Sequence, residues 1–189
     1  MKFIHSSNPE IVRVSDEMGS TTFFAYTLQY PSRTIEYFCY NLSMIIEADA
    51  PLRARKDIVI NAPVSHVWMV QSDINNWPKW QKEVSIAKLH GRLAKGTVFT
   101  WKAMGMNINS ELQQVIENKI IGWSGKSIGM KAIHIWTFEK QGNKTMVTTE
   151  ESLSGWFPTI IKLFKPDFLE ESLSNALFTL KRQSELNKS

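Results

Sequence analysis

Between Val84 and Leu153, apolar and polar residues alternate in six short runs at 84–90, 97–103, 106–117, 119–126, 130–140 and 144–153. The runs are separated by Gly91, Gly96, Gly105, Asn118, Gly129 and Gly142-Asn143. Alternation punctuated by turn residues at this spacing predicts a β-meander. The short connections leave no room for the dozen or more residues that a parallel crossover requires, so the strands are antiparallel. Upstream, Asp57-Ile58-Val59-Ile60 reads as one more strand, and Pro63 suits a first helical position because its missing N–H is not needed there. Val64, Val67, Trp68 and Gln71 follow at helical spacing until Ser72-Asp73, and Asn75 to Trp80 form a second brief turn. Near the C-terminus the apolar period changes again. Leu169, Leu173, Ala176, Leu177 and Leu180 fall on one stripe of a long helix. Pro166 is expected at its first position, with Asp167, Glu170 and Glu171 near the positive start and Lys181 and Arg182 near the negative end. The order of elements is that of an α+β fold, a curved antiparallel sheet gripping the C-terminal helix.

The pattern changes near residues 50 to 55, where Asp49-Ala50-Pro51-Leu52-Arg53-Ala54-Arg55-Lys56 reads as a short linker. Before it, Thr21 to Thr27 is β-branched and aromatic, and Ile35 to Ile46 is apolar enough for a short helix. A piece of this length is close to the limit for independent folding. The 189 residues, 43% hydrophobic and 21% charged, describe an ordinary globular domain rather than a disordered chain. Seven Trp, ten Phe and four Tyr need either a large core or a cavity to line. A net charge of +4, with no long run of like charge, points to no nucleic-acid partner. Cys39 is the single cysteine, which excludes an internal disulfide and makes a reducing cytoplasm the expected compartment. Met1 to Glu10 lacks the apolar segment of a secretory signal, and Thr21 to Ile46 is broken by Pro31, Arg33 and Glu36, so no integral membrane segment is expected.

Several stretches carry a resemblance. Ile58-Val59-Ile60-Asn61-Ala62-Pro63-Val64-Ser65-His66-Val67-Trp68, followed by Asp73 through Trp77-Pro78-Lys79-Trp80, resembles the opening of the SRPBCC superfamily, the START-like, polyketide cyclase/dehydrase and lipid transport group. Ile121-Gly122-Trp123-Ser124-Gly125, His134-Ile135-Trp136-Thr137-Phe138-Glu139 and Val147-Thr148-Thr149-Glu150-Glu151-Ser152 follow in the order this resemblance requires. It covers roughly residues 55–186 and leaves 1–54 as an N-terminal extension without an assigned role. The resemblance implies a helix-grip fold of about seven strands, with a deep apolar cavity between sheet and helix. Members bind lipids, sterols, polyketides, quinones or hormones, and a minority catalyse cyclisation or dehydration.

Because successive strand residues face opposite sides, the aromatic side of each strand is expected to face that cavity. This selects Phe99 and Trp101, then Met106, Ile108 and Leu112, then Ile121 and Trp123, then His134, Trp136 and Phe138, with Leu173 and Leu177 opposite on the helix. The alternative for any one ring is simple core filling. His134 is suited to hydrogen-bond a ligand or to move a proton, or else serves as a satisfied core residue. Glu150 and Glu151 are adjacent on one strand, so at most one of them faces inward. Met104, Met106 and Met130 sit beside turns, where thioethers adapt to irregular shapes.

Other chemistries find little in the sequence. Trp77-Pro78-Lys79-Trp80 is one isolated aromatic-basic cluster and reads as packing. Gly122 to Ser127 ends in Gly-Lys-Ser but stands between strands and has Ile120 where a phosphate loop needs glycine. His5, His66, His90 and His134 are too dispersed for a metal motif, and no cofactor fingerprint occurs. The expectation is a non-catalytic binder of a small hydrophobic ligand. The alternative is a cyclase/dehydratase-like enzyme using His134 with Glu150 or Glu151. A third reading gives the apolar segment Phe157 to Phe164 a transient membrane or subunit contact, the alternative for that segment being burial by the N-terminal 54 residues.

Overall fold

The computed structural model describes residues 10–15, 22–30, 33–36 and 44–186. The chain divides into two units, Met1–Ser43 and Met44–Ser189. In the first, β1 (Glu10–Ser15), β2 (Thr22–Tyr30) and β3 (Arg33–Glu36) form an antiparallel sheet in that order. The stretch expected as a short helix begins instead as strand, with Ile35 opposite Leu28. Its residues 37–43 lie outside the described residues.

The second unit opens with β4 (Leu52–Ile60), so most of the expected linker is strand. Leu52, Ala54, Ile58 and Ile60 face inward, whereas Arg53, Arg55 and Asp57 face solvent. Charge on the solvated face does not oppose a strand, and here it masks the alternation. Pro63 caps α1 (Val64–Ser72) from an extended conformation just outside the helix, and its carbonyl accepts from Val67 N at 3.1 Å. A 3-10 turn, Ile74–Asn76, and α2 (Trp77–Trp80) complete the helical connection.

The meander follows as β5 (Val84–Leu89), β6 (Val98–Ala103), β7 (Met106–Ile116), β8 (Ile120–Ser127), β9 (Met130–Gln141) and β10 (Lys144–Ser154). Seven antiparallel strands pair in the order β4-β10-β9-β8-β7-β6-β5, with register shifts in β5 and β7. Such shifts bend a sheet and increase its local twist. Two helices end the chain, α3 (Trp156–Phe164) and α4 (Phe168–Leu186). Pro166 stands in the turn between them, two residues before α4.

The stripe on α4 is buried at Leu169, Leu173, Leu177 and Leu180. Leu177 and Leu180 join a core with Ile60, Phe99, Leu112, Trp123 and Val147, and Leu169 and Leu173 join a second cluster with Leu52, Met130 and Leu153. Each fully buried leucine contributes about 1.5–3 kcal/mol of hydrophobic stabilisation, so this stripe holds α4 in the grip of the sheet. No helix among the described residues is long and apolar enough to cross a membrane.

Candidate functional site: a tryptophan-lined cavity

Between the sheet, the α1–α2 connection and α4 lies a cavity of about 110 Å³. Trp101, Met106, Ile108, Trp123, His134, Trp136 and Leu173, all selected from the sequence, line it. Phe99, Leu112, Ile121, Phe138 and Leu177 share that inward face but are packed into the core beyond the cavity. Phe138 is covered by α1, whose Trp68 meets it edge-on at 5.4 Å between ring centroids, and Phe99 by Trp77 at 5.7 Å.

Trp77 supplies a wall that strand alternation does not reveal. It is buried, its Nε1–H donates to the Gln71 carbonyl at 2.8 Å, and its ring touches Phe99, Trp101 and Trp123. Gln71 itself lines the cavity, is 1% exposed, and leaves Oε1 without a hydrogen-bond partner. The signal for it was an amide standing at a core-facing position of an otherwise apolar helical spacing. Trp136 Nε1 is likewise buried without a partner. Trp101 Nε1–H donates to Ser110 Oγ at 3.0 Å, which satisfies that ring and fixes its orientation.

The polar chemistry gathers where β9 meets β10. His134 lies opposite Glu151 in the register, and Trp123 lies opposite His134 on β8. His134 Nδ1 is 3.4 Å from Glu151 Oε1, and its Nε2 shares a 2.7 Å hydrogen bond with Thr149 Oγ1. Its ring stacks on Trp136 with centroids 5.4 Å apart and tilts against Trp123 at 4.8 Å. Glu151 lines the cavity, whereas Glu150 points outward to an ion pair with Arg55. The arrangement gives an apolar chamber one wall that can accept and donate hydrogen bonds or pass a proton. The more open lining residues, Glu83, Met104 and Lys126, stand where the cavity meets solvent.

The remaining candidates are dispersed. Gly122 to Ser127 is strand β8. His5 lies outside the described residues, and among the described residues no group of three or more His, Cys, Asp or Glu side chains is placed to hold a metal.

Residues 51–185 match the model of the polyketide cyclase/dehydrase and lipid transport family. No curated protein matches the sequence. Among solved structures, a hypothetical protein of Helicobacter pylori is 17% identical with a TM-score of 0.66, over 80% of this chain and 98% of its own. A START superfamily protein of Mycobacterium smegmatis is 14% identical with a TM-score of 0.63, over 71% of this chain and 97% of its own. The Zhui aromatase/cyclase of a Streptomyces species is 11% identical with a TM-score of 0.62, over 71% and 93%. At such identities the structures share the helix-grip fold, and the family match spans most of the chain. The chain therefore belongs to the polyketide cyclase/dehydrase and lipid transport family.

Proposed function

We propose that the domain binds one small hydrophobic molecule of the lipid, polyketide or quinone class in the tryptophan-lined cavity, without converting it. The observation that carries this reading is the distribution of polarity. Trp77, Trp101, Trp123 and Trp136 line the space, and His134 and Glu151 stand together as a polar pair on one wall of it. Such a site desolvates an apolar body and orients it by a single polar end. A ligand hydroxyl fits that end, because it donates to the Glu151 carboxylate and accepts from an N–H. Cys39 suits a reducing compartment, and the proposal places the protein in the cytoplasm.

Native mass spectrometry of the full chain, followed by denaturing extraction, tests the reading. The expected result is a stoichiometric organic molecule that is released unchanged and is lost from Ala132→Phe, which fills the lined space. A chain that arrives empty, and whose melting temperature no lipid, quinone or polyketide raises, overturns it.

One observation favours a second reading. His134 and Glu151 stand 3.4 Å apart on the cavity wall, near enough for an acid/base pair to tighten around a substrate. Conversion of the extracted molecule by the wild type, abolished in Glu151→Gln, establishes this reading in place of simple binding.

A further inference from the structure

A surface helix ordinarily turns only its polar side to water, and α3 turns an apolar side there as well. Trp156, Ile160, Leu163 and Phe164 fall at i, i+4, i+7 and i+8 on one face and are 60%, 43%, 75% and 85% exposed. Beside them stands Ile128, 87% exposed in the turn between β8 and β9. Phe157 N donates to the Gly129 carbonyl at 3.2 Å, and Gly129 has no side chain where the Trp156 ring lies, so helix and turn form one patch.

We propose that this patch seats the protein on the surface of an anionic lipid bilayer, with the rim of the cavity facing the lipid. Three observations choose lipid over another occupant. The patch combines Trp, Phe, Leu and Ile with cations, the composition of a helix lying in a membrane interface. Lys126 and Lys131 are directly opposed in the register, both exposed, and flank Ile128. Like charges so placed repel, and neither lysine has an ion-pair partner among the described residues. Among the acids around the start of α4, Glu170 pairs with Lys56 and Glu171 with Lys165, which leaves Asp167. Finally, Ile161 on α3 and Phe168 at the start of α4 line the cavity, so apolar surface continues from the patch to the interior. A water-insoluble molecule passing between membrane and cavity along this route stays out of water.

Co-sedimentation of the full chain tests the proposal, using vesicles of phosphatidylcholine alone and of phosphatidylcholine with equimolar phosphatidylglycerol. The wild type is expected to sediment with the anionic vesicles and to be partly released by salt. Leu163→Glu/Phe164→Glu is expected to weaken partitioning roughly tenfold or more, with an unchanged melting temperature because both side chains are exposed. Three results overturn the proposal: no binding to either vesicle, binding that the double variant retains, or a solution dimer that the double variant splits. The last assigns the patch to a second copy of the chain. None of these outcomes depends on whether a molecule occupies the cavity.

Discussion

Glu150 and Glu151 are neighbours in sequence with opposite fates, because a strand sends successive side chains to opposite faces. Glu150 meets Arg55 with their side chains 34% and 65% exposed, where an ion pair contributes at most about 1 kcal/mol. Glu151 is 15% exposed and faces His134, which is 9% exposed, so water competes less for this pair than for Glu150 and Arg55. His134→Ala leaves the Thr149 hydroxyl and the Glu151 carboxylate without their shared partner. It is expected to destabilise the protein by about 1–3 kcal/mol in urea unfolding, with His134→Gln recovering part of the loss. Arg55→Ala is expected to change the same midpoint by about 1 kcal/mol or less.

The helix α4 carries two leucines one turn apart that do different work. Leu177 is enclosed by core, whereas Leu173 borders the cavity. Leu177→Ala is expected to cost about 2–5 kcal/mol, and Leu173→Ala to fall near the lower end of that range because the space beside it is already open. Urea titration measures the difference, and an extract of Leu173→Ala is expected to contain larger molecules than an extract of the wild type. Both leucines are legible as a stripe, but the stripe does not distinguish them, since periodicity gives a face and not the depth of what lies beyond it. The same holds for the strands. Alternation puts Trp101, Trp123 and Trp136 on one side together with Phe99, Leu112 and Phe138, and contacts from the helical connection, such as Trp68 on Phe138 and Trp77 on Phe99, separate wall from core. The start of β4 was hidden because Arg53, Arg55 and Asp57 look like a linker until their shared solvent face is known. Gln71 and Trp77 reach the cavity from a helical connection whose path no strand pattern records.

Across the whole molecule, the two edge strands of the sheet, β4 and β5, are consecutive in the chain, and α1 and α2 bridge the width between them. Every other pair of neighbours in the order is consecutive in the chain, joined by a turn of two or three residues or, between β5 and β6, by a loop of eight, whereas β4 joins β10 by pairing Ile60 with Thr145 and Leu52 with Leu153. This topology has a consequence in time rather than in space. The hairpins from β5 to β10 close short loops, while the docking of β4 must first overcome the entropy of a long one. Contacts made by β4 are therefore expected to form after the folding barrier, and contacts within the meander before it. Stopped-flow measurements are expected to show Ile60→Ala unfolding faster at a nearly unchanged folding rate, and Leu112→Ala folding more slowly. On that order the strand that completes the grip is also the one expected to release first, so that the lifetime of the closed grip is set at its β4 edge.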